Sequence, residues 1–317
     1  MPRVSAAVLN YDGRDLLEVI LPSLFAQEYR DFEVIVVDNA SSDDSVSYVR
    51  ENWPQARVLS TGPVNIGVAA ALNVAVKAAT GELVALLNND IELEPQWLGE
   101  LVAALDRHAD AATVAGKLLN FYRRDELDAA GDIFTRAATA FGRGKGERDQ
   151  GQYEQEEEVF APTAGAALYR ASAFAAVGAF DESFFAYFED VDWSLRAQIM
   201  GYRSWYVPGA IGYHMGSRTT RPTVNPRYFE LQRRNTLALL VKDVPLAFIL
   251  RNLHLILAHQ ALGLAYSANA GMLRVHLRAF VAAARATPKW LGDRRAILGA
   301  RRGALGEFNR FVSARRS

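Results

Sequence analysis

The chain has 317 residues, half of them hydrophobic and 22% charged, with a formal net charge of −1 and no cysteine. That composition supports a large core in one or two domains, and the lack of cysteine excludes a disulfide scaffold, a thiolate metal site and a thiol nucleophile. The charge is uneven: residues 226–317 hold 16 Lys and Arg against four Asp and Glu, whereas residues 1–225 hold 19 against 32.

In chain order, "VSAAVLN" (4–10) predicts a short buried strand, with no basic-then-apolar leader pattern before it. "RDLLEVILPSLFAQ" (14–27) has helical spacing, with Leu17, Leu21 and Leu24 on one side. "FEVIVVDNAS" (32–41) is a β-branched strand ending at Asp38 and Asn39, and Ser41 and Ser42 are expected to cap a helix running to about Asn52. A strand at 56–60, a helix at 68–79 and a buried strand at 82–90 follow. A helix at 94–108 opens with Pro95, and 111–119 is a further strand. Residues 120–160 are polar and irregular, and "GRGKGERDQGQYEQEEE" (142–158) is expected to form a mobile loop. Strand character resumes at 159–170, a helix over 189–201 closes at Gly201, one or two strands fill 202–216, and 226–287 is largely helical.

Continuous apolar strands between helices predict an α/β fold: a mostly parallel central sheet with helices on both faces, here followed by a basic helical extension. The expected division is a catalytic region, 1–225, and a helical region, 226–317. Ligands of such sheets sit at the carboxyl ends of the strands, where Asn10, Asp38 and the run Asn88-Asn89-Asp90 fall. Neither GxGxxG nor GxxxxGK[ST] occurs, so a phosphate would be held by a metal and by side chains. Asp90 has the chemistry to ligate a hard divalent cation, and Asp38 to accept a nucleobase N–H; each reads equally well as a turn or cap acid. The stretch "FFAYFEDVDWSLR" sets Glu189, Asp190 and Asp192 among aromatic rings, an arrangement that costs solvation and repulsion in an ordinary core. On a helix Asp192 can pair with Arg196 at i+4.

Four stretches occur in order: "VIVVDNASSDDS", "NIGVAAALNVAVKAATGELVALLNND", "GAALYRASAFAAVGAFDESFFAYFEDVDWSLRAQIMGYR" and "HMGS". Together, over roughly residues 4–240, they resemble glycosyltransferase family 2, inverting enzymes with the GT-A fold, and most of all its bacterial rhamnosyltransferase-like branch. The resemblance implies that Asp38 reads a uracil or thymine ring beside Asn10, with Asn65 and Gly67 of "NIG" next to the nucleotide. It implies that Asn88 and Asn89 lie near the ribose and first phosphate, and that Asp90 and His214 hold Mg²⁺ or Mn²⁺. Asp190 corresponds to the catalytic base and Glu189 to an acceptor neighbour. The family's first metal-motif acid is an amide here, which thins the ligand set. Trp193 is expected either to floor an acceptor sugar or to pack the core, Gly165 to let a sugar approach the backbone or to serve sheet packing, and Arg218 and Arg221 to close over the diphosphate or to stay solvated.

The donor expected from the resemblance is dTDP-L-rhamnose, with UDP-sugars as the alternative, and the acceptor a glycan or lipid-linked hydroxyl. Residues 245–302, basic and amphipathic, suggest a cytoplasmic protein peripheral to an anionic membrane surface. A catalytically weak nucleotide-binding scaffold is the competing reading. No nucleic-acid partner is expected, because the Arg-rich tail lacks a recognisable reading module.

Overall fold

The computed structural model describes residues 1–163, 165–216 and 225–300, together with the backbone of 312–313. Arg218 and Arg221 lie outside the described residues. The first elements alternate as their hydrophobic periods dictate: β1 (Val4–Asn10), α1 (Arg14–Phe25), β2 (Phe32–Asp38), α2 (Ser45–Asn52), β3 (Arg57–Ser60), α3 (Val68–Ala78) and β4 (Leu83–Asn88). β5 (Ile91–Leu93), α4 (Trp97–Arg107) and β6 (Ala111–Asn120) follow.

The polar, irregular stretch 120–160 holds β7 (Leu127–Ala129), β8 (Asp132–Thr135), β9 (Ala140–Gly142) and β10 (Glu157–Val159), whereas 143–156, most of the expected loop, carries no strand. Each strand is three or four residues long, too short for a clear two-residue period, yet Leu127, Ala129 and Phe134 are buried on alternate positions. β11 (Ala166–Arg170), α5 (Ala171–Val177), α6 (Glu189–Ile199) and β12 (Arg203–His214) complete the described sheet region. The chain ends in α7 (Pro226–Lys242), α8 (Leu246–Asn269), α9 (Leu273–Gly299) and β13 (Val312–Ser313), which pairs with β8.

The large sheet runs β10-β12-β6-β11-β4-β1-β2-β3, with β5 on β12 and β7 on β6. Strands β4, β1, β2 and β3 are mutually parallel, and so are β6 and β12; β11 enters antiparallel between β4 and β6. Both faces are covered. Ala6 and Val8 of β1 pack with Leu17, Leu21, Trp97 and Leu101 of α1 and α4, while Ala7 between them packs with Ala69, Leu72, Phe174 and Trp193 of α3, α5 and α6. Parallel pairing brings Asn10 opposite Asp38, and Leu9 opposite Asn88, at one end of the sheet.

Ser41 and Ser42 do not cap α2, which starts at Ser45 behind Asp44. Ser41 Oγ instead accepts hydrogen bonds from the Asp12 amide (3.0 Å) and from Asn10 Nδ2 (3.1 Å), tying the two strand ends together. The inner sides of α7, α8 and α9 do not stand apart. Leu239, Phe248, Ile256 and Trp290 share one apolar cluster with Phe134 of β8, Phe184, and Val191 and Leu195 of α6. Burying each such side chain contributes about 1.5–3 kcal/mol, so the helices are anchored on the elements that carry the acids of α6.

Candidate active site

At the sheet end, Asn10 is fully buried and its amide acts as a hub. Nδ2 faces Asp38 Oδ1 at 3.4 Å and Ser41 Oγ at 3.1 Å, and Oδ1 accepts from Asn89 Nδ2 at 2.8 Å. Asp38 Oδ2 accepts the Ser41 amide at 3.3 Å. One step out, Asn39 organises the 65–67 turn: its Nδ2 donates to Asn65 Oδ1 and to the Gly67 carbonyl, each at 3.2 Å, and its Oδ1 accepts the Ile66 amide at 3.0 Å. Gly67 has φ of 91°, and a Cβ there would lie 2.6 Å from the Phe185 carbonyl oxygen. Only glycine fits that approach, which joins the turn to the loop leading into α6. Gly165 sits against the same strand end; its carbonyl accepts the Asn88 amide at 2.8 Å.

Next to Asn89, Asp90 is buried, and its Oδ1 has no hydrogen-bond partner. Oδ2 faces His214 Nε2 at 3.2 Å, and His214 Nδ1 meets Asp128 Oδ2 at 2.8 Å. Lys145 Nζ lies 3.0 Å from Asp128 Oδ1. Burial alone would lower the His214 pKa, but the bonds to Asp128 and Asp90 outweigh it and raise the imidazolium to about 10. Burial likewise would raise Asp128, and its bond to His214 holds it at about 2.

These residues fit a divalent cation. The orphaned Asp90 Oδ1 needs a positive partner, and a cation beside it would replace the proton that His214 Nε2 presents to Asp90 Oδ2. Asp128 then holds the far nitrogen of the histidine, as the outer carboxylates of metal-bound histidines do. The protein set is sparse: among the described residues no group of three His, Asp or Glu gathers around one point. Most ligands would come from the bound diphosphate and water.

The acids of α6 stand opposite. Phe185, Tyr187 and Phe188 adopt φ of 63°, 71° and 67°, a run of left-handed non-glycine residues directly before the helix. Glu189 is buried with Oε2 unpartnered, and Asp190 lies in the first helical turn. Desolvation raises both, against opposing backbone hydrogen bonds; Asp190 rises to about 6, and the neighbouring Asp190 charge pushes Glu189 higher still. Asp132 of β8 accepts from Thr163 Oγ1 at 3.1 Å, and burial followed by the Asp190 charge raises it to about 8. Of three facing carboxyls, Asp190 is therefore the one that ionises first, and the helix N-terminus favours its anion. Asp132 also feels Asp128, so it links the acids of α6 to the His214 cluster.

Two expectations about α6 resolve differently. Asp192 is fully buried and pairs with Arg196 at 2.8 Å and with Lys242 of α7, a structural ion network. Trp193 does not floor an acceptor sugar. It is fully buried, donates to the Gly178 carbonyl at 2.9 Å and packs among Tyr169, Phe174 and Phe180, so no face is left to meet a ligand.

Sequence reading missed Asp128, Asp132 and Asn235. Asn39 stood with Asp38 among the polar strand ends, without a role of its own. The spacing "LDAAGDIF", two acids bracketing a glycine within short apolar alternation, was the available signal for Asp128 and Asp132. Asn235 is fully buried on α7 and its Nδ2 faces the carbonyls of Phe184 (3.0 Å), Ala186 (2.9 Å) and Tyr187 (2.8 Å), clasping the left-handed loop.

The model of glycosyl transferase family 2 matches residues 5–178. The chain is 33% identical over 211 residues to the O-antigen biosynthesis protein RfbC of Myxococcus xanthus, a match covering 64% of this chain and 16% of that protein. It is 28% identical over 240 residues to the N-acetylglucosaminyl-diphospho-decaprenol L-rhamnosyltransferase of Mycobacterium tuberculosis, covering 67% of this chain and 76% of that one. The mannosyltransferase of Pyrobaculum calidifontis, solved with GDP-mannose and Mn²⁺, superposes with a TM-score of 0.57 at 20% identity, over 94% of this chain and 86% of that one. The likeness to that structure establishes the fold.

Proposed function

The chain belongs to glycosyl transferase family 2, and from that premise we propose that it transfers a sugar, with inversion, from a nucleoside-diphosphate donor to a hydroxyl group in cell-envelope polysaccharide or glycolipid synthesis. The observation that carries this reading is one connected polar rim. Asp38, Asn10 and Asn89 form its first part; Asp90, next in the chain, with His214 and Asp128 its second; Asp132, on β8, feels the charges of both Asp128 and Asp190.

Under this reading Asp38 accepts the imide N–H of uracil or thymine, and Asn88 and Asn89 face the ribose and first phosphate. Gly67 and Asn65 wall the nucleotide. Gly165 leaves room beside Asn88 for a sugar. The acceptor oxygen attacks the anomeric carbon, the bond from that carbon to the diphosphate oxygen breaks, and Asp190 takes the acceptor proton. Glu189 and Asp132, held neutral, donate hydrogen bonds without adding charge beside the base. Mg²⁺ or Mn²⁺, held by Asp90 and His214, supplies charge neutralisation to the departing diphosphate.

The relative from M. tuberculosis makes dTDP-rhamnose our preferred donor and a diphospho-lipid our preferred acceptor. We place the protein at the inner face of the membrane, held by the basic helices. α8 is long and apolar enough to cross a membrane by length and composition alone, but Arg251, Asn252, His254 and His259 interrupt it, and we read it as lying along the surface. The test is nucleoside-diphosphate release from dTDP-rhamnose and from a panel of UDP-sugars, with Mg²⁺ or Mn²⁺. Metal-stimulated release from at least one donor supports the reading; no release and no binding of any donor rejects it in favour of a scaffold.

A further inference from the structure

Helices α7 and α9 enclose a pocket of about 340 Å³ on the side of the molecule that carries the left-handed loop. Arg227, Glu230 and Arg234 of α7 line it, spaced at i, i+3 and i+7 along one face, and Arg278 of α9 closes it. Three guanidinium groups against one carboxylate leave an excess of two positive charges. Among the described residues, none of the ion pairs involves Arg227, Arg234 or Arg278. Arg234 is half-buried, donates through Nε to Asn235 Oδ1 at 2.9 Å and through Nη2 to the Ser183 carbonyl, and feels the charges of Asp181 and Glu230 without an ion pair to either. A partly desolvated cation is costly unless closely countered, and the cluster it forms with the exposed Arg227 and Arg278 matches the oxygen geometry of phosphates.

Two further observations limit what that anion is. Arg227 stacks over the Phe185 ring at 4.7 Å, and Arg234 holds Ser183, so the pocket wall is also the wall of the loop that delivers Glu189 and Asp190. An anion here would sit against the loop that leads into Asp190. On α9, Leu277 and Val281, each next in the chain to a lining residue (Arg278, Ala282), are half exposed. A charged pocket on a helix that also shows exposed apolar side chains suits an amphiphile: an anionic head with a hydrocarbon tail.

We propose that the pocket between α7 and α9 binds the phosphate or diphosphate head of a lipid-borne acceptor, placing its sugar hydroxyl before Asp190. This inference rests on the glycosyl-transfer reading and names its acceptor chemistry. Arg227 and Arg278 grip the phosphate oxygens from opposite helices, Arg234 adds charge from the floor, and the tail leaves along the apolar residues of α9.

The test uses the full-length chain, saturated with UDP so that the donor diphosphate site is filled, and farnesyl diphosphate as the probe in titration calorimetry. The expected result is binding that inorganic pyrophosphate competes for and that farnesol does not reproduce. In the Arg227→Gln/Arg278→Gln double variant, farnesyl diphosphate affinity falls at least tenfold, while UDP affinity stays within twofold, which also reports that the variant is folded. The single Arg278→Gln variant, at an exposed rim position, is expected to lose several-fold and guards against misfolding of the double variant. Equal binding by native and variant proteins overturns the proposal, as does failure of the native protein to bind the probe. So does a loss confined to phosphatidylglycerol vesicles, which would assign the arginines to bulk lipid. Donor hydrolysis that persists while the probe fails to bind sinks this pocket and leaves the glycosyl-transfer reading standing.

Discussion

The two parts of the site that we propose as its donor end and its acceptor end are held by different kinds of structure. At the donor end, polar groups ride on the last residues of parallel strands whose register is fixed by ladder hydrogen bonds, with Asn10 opposite Asp38 and Leu9 opposite Asn88. At the acceptor end, Asp190 follows a loop of left-handed aromatic residues that is not favourable by itself and is clasped from outside by Asn235. The first end is rigid because the sheet is rigid. The second is as rigid as the packing of α7 upon it, which makes the helical region part of the catalytic apparatus in our reading. Regular scaffolding suits a nucleotide of fixed shape. A strained, externally braced loop suits the place where a base must be buried, charged and aimed at once.

The largest expected effect falls on the acceptor end alone. Asp190→Asn should lower turnover by about 10²–10⁴-fold, the usual range for a general base, with donor affinity by calorimetry nearly unchanged. Equal losses in both would mean that the two ends are not separable. Asn235→Ala removes the side-chain donor shared by three carbonyls, of which, among the described residues, only Phe184 keeps a backbone donor, the Ala186 amide, and should cost about 2–3 kcal/mol of stability. In urea melts and kinetics the variant should also lose turnover more than donor affinity; a loss of stability with full turnover per folded molecule would make Asn235 merely structural. Asp128→Asn tests the donor end, and should weaken Mn²⁺ affinity by about 10–100-fold, read by metal titration, leaving the pH profile in place.

The mildest test is pH itself. Burial raises Asp190 to about 6, so its anion, the active form, is lost as pH falls through that value. kcat/KM should drop about tenfold per pH unit below the limb, well above where an ordinary Asp near 3.9 titrates. The sign for stability is opposite. A carboxyl raised by burial disfavours the folded state when ionised, so its destabilising contribution grows as pH rises from about 4 to about 6. A limb near 4 would mean that Asp190 is solvated and not the base described here.

Legibility in the sequence follows the same division. The parallel strands announce themselves through unbroken apolar runs, and the residues that end them, Asn10, Asp38 and Asn88 to Asp90, are adjacent to those runs. His214 was visible only through resemblance, since a lone strand-end histidine has many ordinary uses. Asp128 and Asp132 were hidden because strands of three and four residues leave no measurable period, and their polar surroundings read as irregular. Asn235 was beyond sequence reasoning: its role depends on α7 folding back across about 50 positions onto Phe184, Ala186 and Tyr187. Trp193 misled because i,i+3 spacing from Asp190 says that two side chains are neighbours on a helix, not which of them faces solvent.

A crystal structure with UDP and Mn²⁺, using the anomalous signal of the metal, tests the single-cleft account most directly. The account predicts one manganese peak at about 2.1 Å from Asp90 Oδ1 and His214 Nε2, the nucleobase on Asp38, and the diphosphate facing Asp190 across the gap. Manganese bound away from Asp90, or a base seated elsewhere than Asp38, would contradict it.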